Sequence, residues 1–181
     1  MINSDSLIDR LQRWDELALA EVYDTYAPAI YRYTCRLTGN QSTAQEIVSE
    51  TFYRLLAALK NGGGPEKNIS AWLYRVAHNL VVDHYRRAPV QDPLPIDSAR
   101  LVDPDKGPDR VLELEKTDLV RQALWKLTDL QQQIIVLRFL EGLSNEEVAE
   151  ITGKTVGSVK ALQHRALASL RRILEKEDVQ F

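Results

Sequence analysis

One cysteine, Cys35, stands in the whole 181-residue chain, so no internal disulfide can form and no thiolate cluster is there to hold zinc. The three histidines, His78, His84 and His164, add no ligand set at metal-binding spacing. No apolar run approaches the roughly 20 residues that a membrane span needs. The N-terminal MINSDSLIDRLQRWDEL is acidic and amphipathic, without the apolar centre of a secretion signal. A reducing cytoplasm and no membrane insertion are the expectation. Nor is there a glycine-rich loop after a strand to cradle a phosphate, or a constellation of carboxylates, histidines or cysteines fit for catalysis. The chain is therefore expected to be no enzyme, with no catalytic or metal-binding residue, no cofactor and no small-molecule substrate.

What is there is 44% apolar residue content, enough for a globular fold, and a charge distribution that the net value of -3 conceals. Residues 1–30 sum to -4 and 91–116 to -3, whereas 31–90 sum to +4 and 153–174 to +5. Affinity for nucleic acid depends on the local patch that displaces counterions from phosphates, so this partition matters more than the total.

No stretch alternates as a strand would. Helical periodicity runs through Leu17 to Leu37, Thr43 to Leu59, Ser70 to Arg87, Asp109 to Lys126, Asp129 to Leu140, Ser144 to Thr152 and Thr155 to Leu174. The fold class is thus all-α. Thr128 with Gln131 and Ser144 with Glu147 have capping-box spacing, each pair satisfying amides at a helix start. Five of the seven prolines fall between Ala88 and Pro108 among acidic residues. Proline lacks an amide donor and restrains its neighbour, which predicts an extended acidic linker. The expected organisation is a helical bundle over 1–88, a flexible linker over 89–117 and a helix-turn-helix domain over 118–181. Gly62-Gly63-Gly64-Pro65 breaks the first domain between two helices.

The segment GKTVGSVKALQHRALASLRR, Gly153 to Arg172, has five Lys or Arg and no acid. The short helix before it, the glycine break and a cap at Thr155 make helix-turn-helix spacing, with the second helix placed for a major groove. At 100° per residue, Val159, Leu162, Ala166, Leu170 and Ile173 fall on one side, and Lys160, His164, Arg165, Arg171 and Arg172 on the other. A solvated basic face is the bland alternative. Against it stand the small first turn, Gly157 and Ser158, which permits close backbone approach, and the acids confined to the preceding helix. Arg171 and Arg172 fit phosphate contacts, which position without specifying.

NISAWLYRVAHNLVVDHYRR, Asn68 to Arg87, interleaves Trp72, Tyr74, His78 and Tyr85 with Arg75, Arg86 and Arg87. Single-stranded nucleic acid is bound by such surfaces, since bases stack on rings while cations neutralise the backbone. Trp72 recurs at core spacing and reads as packing. Asn79, beside that apolar stripe, suits either a base edge or a bridge between helices.

Taken together, three motifs in this order resemble the extracytoplasmic-function (group 4) sigma factors of bacterial RNA polymerase, a branch of the sigma-70 family, over nearly the whole chain. AEVYDTYAPAIYRYTCRLTGNQSTAQEIVSETFYRLLAAL is similar to their regions 2.1 and 2.2, ISAWLYRVAHNLVVDHYRR to regions 2.3 and 2.4, and LTDLQQQIIVLRFLEGLSNEEVAEITGKTVGSVKALQHRALASLRR to region 4. The resemblance implies core RNA polymerase and promoter DNA as partners, with docking on the β′ clamp helices and the β flap. Glu46, Glu50, Phe52 and Arg54 would meet the clamp helices. The loop 61–70, including Asn68, and Asn79 would capture an unstacked base of the -10 element, with Arg75, Arg86 and Arg87 near its backbone. Thr155, Ser158, Lys160, His164 and Arg165 would face the -35 element, with Arg171 and Arg172 as anchors, and regulation would come from an anti-sigma factor. Three features depart from the usual pattern: Gly62-Gly63-Gly64 replaces an aromatic and a charged residue, Ala161-Leu162 replaces Ser-Arg, and Leu167 stands where Arg is common. A dimeric repressor or activator would account for the last helices alone, and would leave the aromatic-basic segment without a role. A helical enzyme or scaffold with an incidental basic helix is the third class.

Overall fold

The structure is a computed structural model of the chain, and it describes residues 4–87 and 119–178, with the side chains of residues 7–87 and 119–176. The proline-rich segment predicted as a linker lies outside the described residues. Among the described residues there are helices and no strand. In chain order they are α1 (Ser4–Gln12), α2 (Glu16–Thr38), α3 (Gln41–Lys60), α4 (Ile69–Arg87), α5 (119–125), α6 (Asp129–Ile135), a π-helical segment (Val136–Leu140), α7 (Asn145–Thr152) and α8 (Val156–Asp178).

Local chemistry sets the boundaries. Asp15 caps α2 by accepting from the Leu17 and Ala18 amides, and Asn40 caps α3 through the Thr43 amide. Thr128 with Gln131 and Ser144 with Glu147 both form complete capping boxes. Gly39 ends α2 at φ 64°, in the left-handed region where a Cβ is costly, and returns its amide to the Cys35 carbonyl. Periodicity missed α1, whose nine residues bury Leu7, Ile8 and Leu11. It also predicted α6 as one helix to Leu140. Instead α6 ends at Ile135 and widens into the π segment, closed by the Glu141 amide on the Val136 carbonyl at 2.9 Å.

In the first half α2, α3 and α4 pack mutually around Ile30, Tyr33, Leu37, Leu55, Leu73 and Val81, all essentially inaccessible to water. In the second, α6, α7 and α8 enclose Ile134, Leu137, Val148, Val159 and Ala166. Burial of such side chains is worth about 1.5–3 kcal/mol each. The two halves also pack against each other. α4 lies along α7, α2 meets the π segment, and the buried apolar residues form one continuous cluster.

Candidate nucleic-acid interface

The helix-turn-helix element is α7, Gly153 and α8. Gly153 sits at φ 68° and turns the chain between the helices, its amide closing on the Ala149 carbonyl. Thr155 caps α8 as expected, its hydroxyl accepting from the Ser158 amide at 3.2 Å. Val159 and Ala166 are fully buried, with Leu162, Leu170 and Ile173 packed against the core. Holding that face down leaves Lys160, His164, Arg165, Arg171 and Arg172 exposed. Helical spacing sorts them into two adjacent rows, Lys160, His164 and Arg171 in one and Arg165 and Arg172 in the other. A Cβ added at Gly157 meets nothing within 4 Å, so the first turn of α8 is open on its outer side. Ser158 is half-buried.

The last two arginines have partners of their own. Arg171 forms an exposed ion pair with Glu175 at 2.7 Å, which raises its pKa. Arg172 contacts the Ser169 hydroxyl at 3.4 Å and lines a groove with Lys126, Thr128 and Lys176. Among the described residues Arg165 reaches the Ala161 carbonyl, at a weak 3.4 Å. Leu167 is 40% exposed and flanks the Lys160 row on the side away from Arg165, while the small Ala161 and Ala168 lie between the two rows.

On the other half, α4 buries Ala71, Leu73, Tyr74, Ala77, His78 and Val81. Trp72 packs against the core, as its spacing predicted. Asn79, Arg86 and Arg87 are exposed. Asn68 accepts from the Ala71 amide at 2.9 Å, capping α4, while its own amide donates to the Glu150 carboxylate. Arg75 donates to two carbonyls at the end of α7, Glu150 at 2.8 Å and Ile151 at 3.2 Å. Both residues are thus engaged across the interface between the halves, which spacing within one helix has no means of showing. In the loop before α4, Gly62 and Gly64 adopt φ 71° and 108°. Glycine suits this left-handed backbone path, which a side chain would strain.

Glu46 and Arg54 are exposed on α3 and Glu50 half-exposed, with Arg54 bonded to Glu50 at 2.9 Å. Phe52 departs from expectation. It is 9% exposed and packs edge-on against Tyr23 with ring centroids 4.8 Å apart. Six residues beyond Glu46 is about 240° around the helix, so Phe52 belongs to the opposite, core face. Tyr53, at i+7 from Glu46 and 66% exposed, is the aromatic that shares the acidic face. It lines a shallow groove with Ser42, Gln45, Glu46, Ser49 and Glu50. The i, i+4, i+7 spacing from Glu46 through Glu50 was the available signal.

Burial governs the ionisable groups between the halves. His78 has its pKa pushed down to about 4 by desolvation, with Asp129 opposing. Tyr33 is driven well above the usual tyrosine value by burial, and Tyr74 to about 12 for the same reason, assisted by Glu141. Among the described residues no three His, Cys, Asp or Glu gather as a metal site, and no helix is long and apolar enough to cross a membrane.

The described chain thus comprises two helical halves, one presenting an exposed basic helix after a capped turn and the other exposing Asn79, Arg86 and Arg87 at the outer side and end of α4. Residues 22–89 match Sigma-70 region 2 and residues 117–170 match Sigma-70, region 4. The ECF RNA polymerase sigma factor SigW of Bacillus subtilis is 30% identical over 92% of this chain and 94% of SigW. BldN, an ECF RNA polymerase sigma factor of Streptomyces coelicolor, is 34% identical over 93% of this chain, which spans 64% of BldN's length. The fold is also that of CnrH, solved in complex with the cytosolic domain of CnrY, with a TM-score of 0.71 at 23% identity over 96% of this chain and 97% of CnrH. The chain belongs to the ECF RNA polymerase sigma factors. It is a transcription initiation factor of the alternative-sigma class.

Proposed function

We propose that the chain binds core RNA polymerase and brings it to promoters by reading the -35 element with α8 and the -10 element with α4 and the loop before it. Lys160 and Arg165 take base edges in the major groove, with His164 beside them. Thr155 and Ser158 bring the backbone close, and Arg171 and Arg172 anchor phosphates. Asn79 and the loop that ends at Asn68 hold an unstacked -10 base, and Arg75, Arg86 and Arg87 follow its strand. Unstacking costs a few kcal/mol, which a pocket for the extruded base offsets. The factor contributes binding energy and leaves the chemistry to the polymerase, so it is not itself an enzyme. Residues 1–88 form the core-binding and -10 unit, 89–117 the connector and 118–181 the -35 unit. Glu46, Glu50 and Arg54, with Tyr53 in place of Phe52, form the face toward the β′ clamp helices, and the β flap meets the second unit. The protein works in the cytoplasm. An anti-sigma factor restrains it, a reading supported by the similar fold of the sigma factor RpoE, solved in complex with the anti-sigma factor NepR from Bartonella quintana.

The observation that carries this reading is the exposed basic face of α8 from Val156 to Arg172, a stretch without an acid, presented by a capped helix-turn-helix in a chain that matches both sigma-70 regions. Footprinting with and without core polymerase tests it. Protection of two elements about 17 base pairs apart, roughly 58 Å of duplex at 3.4 Å per step, is expected only with polymerase. A palindromic footprint from the chain alone would instead identify a dimeric repressor or activator.

A further inference from the structure

Of the cations assigned above to the -10 strand, Arg75 is bound by the other half of the same molecule, as is Asn68. Their partners are the carboxylate of Glu150 and the terminal carbonyls of α7, Glu150 and Ile151. A helix C-terminus carries a partial negative charge from its unpaired carbonyls. With Glu150 added, this end of α7 offers a cluster of anionic oxygens at hydrogen-bond distance from an arginine and an amide, as a nucleic-acid phosphate would.

We propose that the end of α7, with Glu150, is an internal mimic of the -10 strand backbone, which occupies Asn68 and Arg75 until promoter DNA displaces it. The mimic rests on the promoter-reading assignment above and adds to it a competitor within the chain.

Two further sets of contacts hold the same closed arrangement. Arg36 donates to the Leu140 carbonyl at 2.6 Å and pairs with Glu141, whose side chain is 3% exposed. Tyr85 at the end of α4 stacks at a tilt on Trp125 of α5, ring centroids 4.0 Å apart. These contacts raise the effective concentration of the mimic at its site.

Chain geometry makes the closed and reading states exclusive. The Ile151 carbonyl is 3.2 Å from Arg75, and only nine residues separate Ile151 from Lys160. Fully extended, that stretch spans at most about 32 Å. The two promoter elements lie roughly 58 Å apart along the duplex, so α8 cannot reach one while α7 remains docked beside the other.

The experiment uses the full chain without polymerase and, as probe, a fluorescein-labelled single-stranded oligonucleotide carrying a -10 sequence obtained by promoter selection. Glu150→Ala and Glu150→Lys are compared with Glu146→Lys, which makes the same charge change on an exposed residue of the first turn of α7. Circular dichroism confirms that each variant is folded. Both Glu150 variants are expected to bind the probe about five- to tenfold more tightly than the native chain, in the range of ordinary coupling between sites, while Glu146→Lys changes it by less than twofold. Equal gains for Glu146→Lys and Glu150→Lys, or no gain for Glu150→Ala, overturn the mimic. Run-off transcription with saturating core polymerase separates the two claims. If the native chain supports it and the Glu150 variants bind the probe no better, the mimic fails and the promoter reading stands. If the native chain directs no transcription, the promoter reading itself fails.

Discussion

Tyr33 of α2 and His78 of α4 meet in the buried centre of the molecule, the tyrosine hydroxyl 2.8 Å from His78 Nδ1. The side chain of Gln133, buried on α6, opposes the rise that burial gives the pKa of the same hydroxyl. With the hydroxyl donating, Nδ1 accepts and the neutral ring carries its proton on Nε2. The tyrosine hydroxyl and the histidine Nδ1 therefore satisfy each other inside an apolar surround.

This pair sets a pH dependence of stability. Burial lowers the His78 pKa from 6.5 to about 4, and the nearby Asp129 carboxylate only partly offsets it. Between those values the unfolded chain binds a proton that the native state refuses, so stability is complete above pH 6.5 and falls as pH drops toward 4. The loss attributable to His78 is up to about 3 kcal/mol. Urea denaturation across that window, for the native chain and His78→Asn, measures it. The variant is expected to show the shallower decline, and identical slopes would show that His78 does not titrate in this way.

On the recognition helix, Arg165→Ala is expected to cost about 1–3 kcal/mol of promoter affinity and to relax preference at one base position. Arg172→Ala should weaken all sequences alike and reduce the salt slope by about one. Binding of promoter variants by holoenzyme over a salt series distinguishes the two. A uniform loss for Arg165→Ala would reassign it to phosphate.

Ser144→Ala removes the hydroxyl that caps α7 and should cost about 1 kcal/mol, as should Thr128→Ala at α6. Chemical denaturation midpoints read both effects. Unchanged midpoints would mean that water replaces the caps at no cost.

The two neighbouring aromatics of α3 should separate cleanly. Phe52→Ala opens a cavity beside Tyr23 and is expected to cost about 3–5 kcal/mol of stability. Tyr53→Ala should fold normally and weaken core polymerase binding by more than about 1 kcal/mol, as truncation of an interface aromatic does. Pull-down of core polymerase alongside thermal melts checks the pair. Full polymerase binding by Tyr53→Ala would place the docking face elsewhere.

Much of this arrangement is legible in the sequence because helix period and capping chemistry are local. The Thr128–Gln131 and Ser144–Glu147 boxes, the Thr155 cap and the buried stripe from Val159 to Ile173 all follow from spacings of three or four residues. By the same spacing Phe52 lies on the apolar side of α3, and only the family resemblance sets it among the docking residues. The π segment escaped notice because its register is set by Arg36 and the packing of α2, far away in sequence. For the same reason nothing local hinted that Asn68 and Arg75 would bind the end of α7: those partners are 82 and 75 to 76 residues distant.

Run-off transcription by core polymerase loaded with this chain, on a library of randomised promoters, tests the central claim most directly. The account predicts transcripts that depend on the chain and share two sequence elements about 17 base pairs apart, roughly 58 Å of duplex, with the -35 preference altered by Arg165→Ala and the -10 preference by Asn79→Ala. Transcripts without a shared element, or none above core polymerase alone, would contradict it.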